Sequence, residues 1–189
     1  MKNNNIIYKN FLIKKKLDKS FKKKIENNFV RYIYEISERI KYEDSFYHFL
    51  SKRFKLNIKA RDLIKFKKFK NIALIGMGGS ILGSKAAHCF LKNKIKKNIF
   101  FFDNINENKI THFKQKKISK KTLFIIISKS GETIETLSNS LTLKIIKKNA
   151  KNVIIITEKN NKTLYKLSQQ LNLFHIEHRK QIGGRFSFL

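Results

Sequence analysis

Proline and tryptophan are absent from this sequence, cysteine occurs once, and glycine is confined to seven positions. With no proline there is no Pro-rich linker to mark a domain boundary. The single cysteine, Cys89, excludes an internal disulfide framework and points to a reducing compartment; its place in a helical pattern predicts a buried, inert thiol. Long apolar runs are missing too. The stretch from Leu123 to Ile127 is far too short to span a bilayer, and Ile6 to Ile13 is interrupted by Lys9 and Asn10, unlike the apolar core of a secretory signal. The expectation is a soluble, cytoplasmic chain with no membrane partner. Carboxylates are scarce, 13 against 43 Lys and Arg, for a net charge of +30. No carboxylate pair and no Ser/His/Asp arrangement stands out as a catalytic set.

Such a charge ordinarily signals nucleic acid or an anionic surface. Here the lysines run from Lys2 to Lys180 without gathering into one stripe, beside abundant Ile, Asn and Phe. That is the profile of a genome drifting toward A and T, so the basicity reads as mutational and no specific nucleic-acid partner is expected. Clusters such as Lys14 to Lys16 and Lys22 to Lys24 read as solvated faces.

What glycine there is falls in motifs. The stretch NIALIGMGGSILGS (residues 71–84) runs from an apolar strand through Gly76, Gly78, Gly79 and Gly83 into an amphipathic pattern at Ile81, Leu82, Ala86 and Phe90. Glycines let the backbone turn sharply and approach a ligand, and the free N–H groups of a helix start favour an anion, typically a phosphate. A strand-to-helix turn without a ligand is the plain alternative. Two nucleotide templates fail here: the dinucleotide fingerprint requires glycine where Ile81 stands, although Asp103 is placed like a ribose ligand, and a Walker A loop would require Gly-Lys-Ser where the chain reads Gly83, Ser84, Lys85.

Around that turn the chain alternates. Apolar spacing from Leu17 through Phe21, Ile25, Phe29, Ile33, Ile36 and Ile40 predicts a long amphipathic helix. A second helical patch covers Phe46, Phe49, Leu50 and Phe54, with Ser45 as its cap. Strands are predicted at residues 72–75, 98–102, 122–127, 152–157 and 173–176. Helical spacing falls between them at Ile105 to Phe113, at Ile134, Leu137, Leu141 and Ile145, and at Leu164, Leu167 and Leu171. This is an α/β pattern, a doubly wound parallel sheet with right-handed crossovers and helices on both faces. Residues 1–55 form a helical N-terminal segment and 56–189 the α/β domain. The ending, QIGGRFSFL, stops four residues after Arg185 and reads as truncated mid-fold.

The turn SKSGET (residues 128–133) is more specific. Ser128, Ser130 and Thr133 bring hydroxyls and Lys129 an ammonium, between a buried strand and a helix start, with Gly131 permitting the turn. A phosphomonoester carries about −1.5 to −2 charges near neutral pH, and a helix N-terminus favours such an anion by roughly 0.3 to 1 kcal/mol. An ordinary capped helix start is the competing reading. Arg185 follows Gly183 and Gly184, a pair that can bring its forked guanidinium close to an anionic ligand. His175 and His178 have no metal-like partners and read as satisfied or surface histidines; no metal is expected.

Taken together, GMGGSILGS (76–84), SKSGETIET (128–136) and IGGRFS (182–187), in this order and spacing, resemble the glucose-6-phosphate isomerase family. The first two motifs alone would indicate only the wider sugar-isomerase domain family; the third narrows the match. The resemblance covers roughly residues 70–189. It implies a sugar-isomerase type fold and interconversion of glucose 6-phosphate and fructose 6-phosphate through an enediol, with no cofactor and, in full-length form, a homodimer. Gly79 and Ser80 are then the turn that touches the sugar phosphate. Ser128, Lys129, Ser130 and Thr133 are the phosphate loop, and Arg185 stabilises the enediolate. The family's glutamate base, its histidine and its lysine lie beyond Leu189, which leaves this chain expected to be inactive alone. A non-catalytic phosphosugar-binding sensor is the alternative; a nucleotide-dependent enzyme is disfavoured by the two failed templates.

Overall fold

The computed structural model describes residues 19–55 and 58–183. The chain divides into two compact units, Met1–Phe54 and Lys55–Leu189. In the first, helix α1 (Lys19–Arg39) follows the predicted period. Leu17, where that pattern was expected to begin, lies outside the described residues. Burial does not follow the period: Phe21, Ile25, Phe29 and Ile33 are 49 to 63% exposed. Periodicity says which side chains share a helix face, not what covers it. Ser45 caps the 3-10 turn Phe46–Leu50 as expected, its side chain accepting from the Tyr47 N–H. His48 is buried there, with Nδ1 3.2 Å from the Ile40 carbonyl.

The second unit holds a five-stranded sheet: β1 (Asn71–Ile75), β2 (Asn98–Phe102), β3 (Thr122–Ile127), β4 (Val153–Thr157) and β5 (Phe174–Glu177). Its order is β2-β1-β3-β4-β5, and all neighbours are parallel. The helices are α2 (Ala60–Leu63), α3 (Gly79–Leu91), α4 (Glu107–Gln115), α5 (Ile134–Thr142) and α6 (Thr163–Gln170). Runs such as Thr122–Ile127 have both faces covered, so they are β-branched and almost continuously apolar instead of alternating.

One sheet face carries Ala73, Ile75, Phe124, Ile126, Val153 and Ile155, packed against Ile110 and Phe113 of α4, Leu137 of α5 and Leu164 of α6. Phe113 is its hub, with edge-to-face contacts to Phe100, Phe102 and Phe124 at 5.1, 5.4 and 6.0 Å. The other face, with Leu123 and Ile154, packs on Phe66 and Phe69 from the segment preceding β1.

Three expectations are corrected. Cys89 is exposed, and the predicted stripe of α3 is buried only at Ile81; Leu82 is 59% and Phe90 90% exposed. The apolar residues of α3 spread over more than one side, so the helix buries only its first turn. Helix α5 stops at Thr142, short of Ile145, because Lys144 takes a positive φ of 54°. Leu143 and Ile145 still fill the core, from non-helical backbone.

Candidate functional site

Strand order locates the site. The crossover from β1 leads to β2 on one side and that from β3 to β4 on the other, so the strand order reverses between β1 and β3, and in open sheets of this kind ligands bind beyond the carboxyl ends of the strands at that point. Ile75 pairs with Ile126, so the turns after β1 and β3 start side by side. A Cβ on Gly76 would come 3.0 Å from the Ile127 carbonyl oxygen and 3.3 Å from Ser80 Cβ. Any side chain at position 76 would therefore push the two turns apart.

In the first turn Gly78 has φ 54° and ψ −124°, which favours glycine, and it caps α3 without a side-chain bond. Gly79 is the first residue of α3, and Ser80, the second, is 6% exposed. Among the described residues Ser80's hydroxyl makes no hydrogen bond, so it is uncommitted at a helix start. Beside this turn, at the end of β2, Asp103 bonds Lys85 and sits 3.7 Å from the Lys109 ammonium. Burial pushes its carboxyl up, but the Lys85 hydrogen bond, a main-chain bond and the two lysine charges hold it below the usual carboxylate range. Asp103 is thus already engaged by two lysines.

The second turn is built from its hydroxyls. Ser128 is 1% exposed. Its Oγ accepts from the Gly131 N–H at 3.1 Å and lies 2.9 Å from Thr133 Oγ1 and 3.5 Å from Ser130 Oγ. Ser130 Oγ accepts from the Glu132 N–H at 3.3 Å. Thr133 is the N-cap of α5 but makes no capping side-chain bond, so the first N–H groups of α5 keep their unmet donor capacity. Gly131 has φ 75°, and a Cβ there would meet Thr157 Oγ1 at 3.1 Å. Gly79, Ser80, Ser128, Ser130 and Thr133 thus all lie in the two turns that follow the neighbouring strands β1 and β3.

Lys129 departs from the simple picture. Its ammonium faces Glu158 at 3.3 Å and donates to the Lys180 carbonyl at 3.0 Å. Glu158 and Lys180 were not singled out in the sequence; the available signal was that Glu158 directly follows a strand beside the reversal point. Arg185 lies outside the described residues. His175 is satisfied as expected, its Nε2 lying 3.0 Å from the Thr157 carbonyl. His178 is buried with Nδ1 2.9 Å from the Arg179 carbonyl, while its Nε2 makes no hydrogen bond among the described residues. Among the described residues, no His, Cys, Asp and Glu cluster could hold a metal, and no helix is long and apolar enough to cross a membrane.

The sequence pattern of the phosphoglucose isomerase family matches residues 44–189. The chain belongs to the phosphoglucose isomerase family. Both turns fall within the matched residues. Among curated relatives, the glucose-6-phosphate isomerase of Borreliella burgdorferi is 40% identical over 133 residues, 64% of this chain and 25% of that protein. The glucose-6-phosphate isomerase of Campylobacter jejuni is 31% identical over 167 residues, 84% of this chain and 41% of that protein. The chain spans 25% of the length of the first of these relatives. A crystal structure of a glucose-6-phosphate isomerase from Chlamydia trachomatis superposes with a TM-score of 0.59 at 28% identity, over 68% of this chain and 26% of the other. A hypothetical protein from Thermus thermophilus gives a TM-score of 0.56 at 27% identity, over 64% and 30%. The parallel sheet with flanking helices is that of the phosphosugar isomerases of this family.

Proposed function

We propose that this chain forms the phosphate-capturing part of a glucose-6-phosphate isomerase site, serving the interconversion of glucose 6-phosphate and fructose 6-phosphate. The observation that carries the reading is the pair of turns at the sheet's reversal point: uncommitted hydroxyl and helix start at Gly79 and Ser80, hydroxyl cluster and second helix start at residues 128–133. Ser128, Ser130 and Thr133 would re-aim their O–H groups from one another onto phosphate oxygens, joined by the first N–H groups of α5. Lys129 adds positive charge to the same turn, and the chain's net charge of +30 draws a dianion toward it.

In an aldose–ketose isomerisation a proton leaves C2 and is delivered to C1, and the intermediate enediol carries developing negative charge on its oxygens. In this reading Arg185 is the cation for that charge, since a guanidinium stays protonated and offers paired donors. Ser80 faces the sugar. The reading needs no metal or organic cofactor.

Titration of the 189-residue chain with glucose 6-phosphate, fructose 6-phosphate and unphosphorylated glucose tests it. Both phosphates should bind and glucose should not. Thr133→Val should weaken the phosphates about tenfold, the worth of one hydrogen bond to a charged group. Equal binding of glucose, or an unaltered Thr133→Val variant, would contradict the assignment.

A further inference from the structure

Beyond the charge it brings, Lys129 has a geometry that a phosphate ligand alone does not require. Its side chain is only 24% exposed, and that of Glu158 17%. The ammonium spans two fixed acceptors on different parts of the unit, the Glu158 carboxylate just past β4 at 3.3 Å and the Lys180 carbonyl past β5 at 3.0 Å. Its own main-chain carbonyl accepts from the Glu158 N–H and from Thr157 Oγ1, both at 3.3 Å. The Thr157 carbonyl in turn accepts from the His178 N–H at 2.9 Å. One residue of the serine–threonine turn is therefore tied by both its main chain and its side chain to the ends of the next two strands.

We propose that Lys129 is a positioning residue whose ammonium clamps the segment after β5, residues 178–183, onto the serine–threonine turn. That segment closes its own turn, the Ile182 N–H bonding the Arg179 carbonyl at 3.2 Å with Ile182 buried. In sequence it runs directly into Gly184 and Arg185. The clamp thus holds the described residues that immediately precede, in sequence, the arginine proposed to face the enediolate. An ammonium suits the task because it directs several donors from one point, so a carboxylate and a carbonyl from different segments are held together. The functional meaning rests on the reading of residues 128–133 as the phosphate turn; the clamp itself does not.

The test is hydrogen exchange on the ligand-free 189-residue chain, followed by mass spectrometry over residues 174–183. Lys129→Met should speed exchange in 178–183 by about tenfold, as expected for losing one charge-assisted hydrogen bond, while β1 and β3 keep their protection. Lys129→Arg, which can still reach both acceptors, should restore it. If Lys129→Met does not fold, Glu158→Gln reads the same contact and should also speed exchange in that segment. Unchanged exchange in 178–183 in the folded variant, or no rescue by arginine, overturns the clamp. Binding of inorganic phosphate to the unmodified chain is measured separately: its absence would count against the phosphate reading and leave the exchange result to decide the clamp.

Discussion

The two turns at the sheet's reversal point do similar geometric work by different means. The turn after β1 is a backbone device: glycine at 76 lets it lie against Ile127, glycine at 78 takes a conformation other residues resist, and Ser80 stays uncommitted. The turn after β3 is a side-chain device, in which Ser128, Ser130 and Thr133 bond one another and the backbone, and Gly131 makes room for Thr157. The first is shaped by what is left out and the second by what is put in. The difference predicts that removing a hydroxyl should damage stability mainly in the second turn, and ligand contact with less structural cost in the first.

The largest effect should come from glycine. Gly131→Val meets a positive φ of 75° and the Thr157 hydroxyl at 3.1 Å together, for a loss of about 2 to 4 kcal/mol. Gly78→Ala meets only the backbone conformation, with nothing within 4 Å of its Cβ, and should cost about 1 to 3 kcal/mol. Chemical denaturation ranks the pair, and a costlier Gly78→Ala would reverse the contrast.

Serine comes next. Ser128→Ala removes one of the two acceptors of the Gly131 N–H, which keeps the Ser128 carbonyl at 3.2 Å, together with the partner of the Thr133 hydroxyl, inside a buried turn; two lost hydrogen bonds cost about 1 to 3 kcal/mol. Ser80→Ala removes a hydroxyl with no partner among the described residues and should stay within about 0.5 kcal/mol. Thermal melts of the two variants should separate clearly; equal melts would mean that Ser80 is structural after all.

The smallest effect concerns Asp103, beside the first turn. Its carboxyl is held below the usual range, chiefly by Lys85 once burial is overcome. The unfolded chain therefore binds its proton more readily than the folded one. The stabilisation is present above the unfolded carboxylate range, near pH 4, and is lost as pH falls through the lower folded value. Asp103→Asn should flatten that acid limb slightly, and salt should shrink the difference. An acid limb unchanged by the substitution would remove the pair from the account.

Much of this was legible in the sequence. Five apolar strands and the helices between them followed from periodicity, because a sheet covered on both faces leaves near-continuous runs such as Thr122–Ile127. Glycine and hydroxyl clustering marked both turns. What was not legible depends on contacts distant in the chain: the exposure of Cys89 and Phe90, the end of α5 at a left-handed Lys144, and above all the partners of Lys129. A lysine in a hydroxyl-rich turn reads as a phosphate ligand until Glu158 and Lys180 are seen beside it. Their separations in sequence, 29 and 51 residues, lie far outside any local pattern.

The central claim is that both turns form one phosphosugar crevice. Its most direct test is a titration of the isotopically labelled chain with glucose 6-phosphate, followed through backbone amide resonances. The account predicts that Gly78, Gly79 and Ser80 shift together with Ser128 to Thr133, at one midpoint. Shifts confined to a single turn, or centred elsewhere on the sheet, would contradict it.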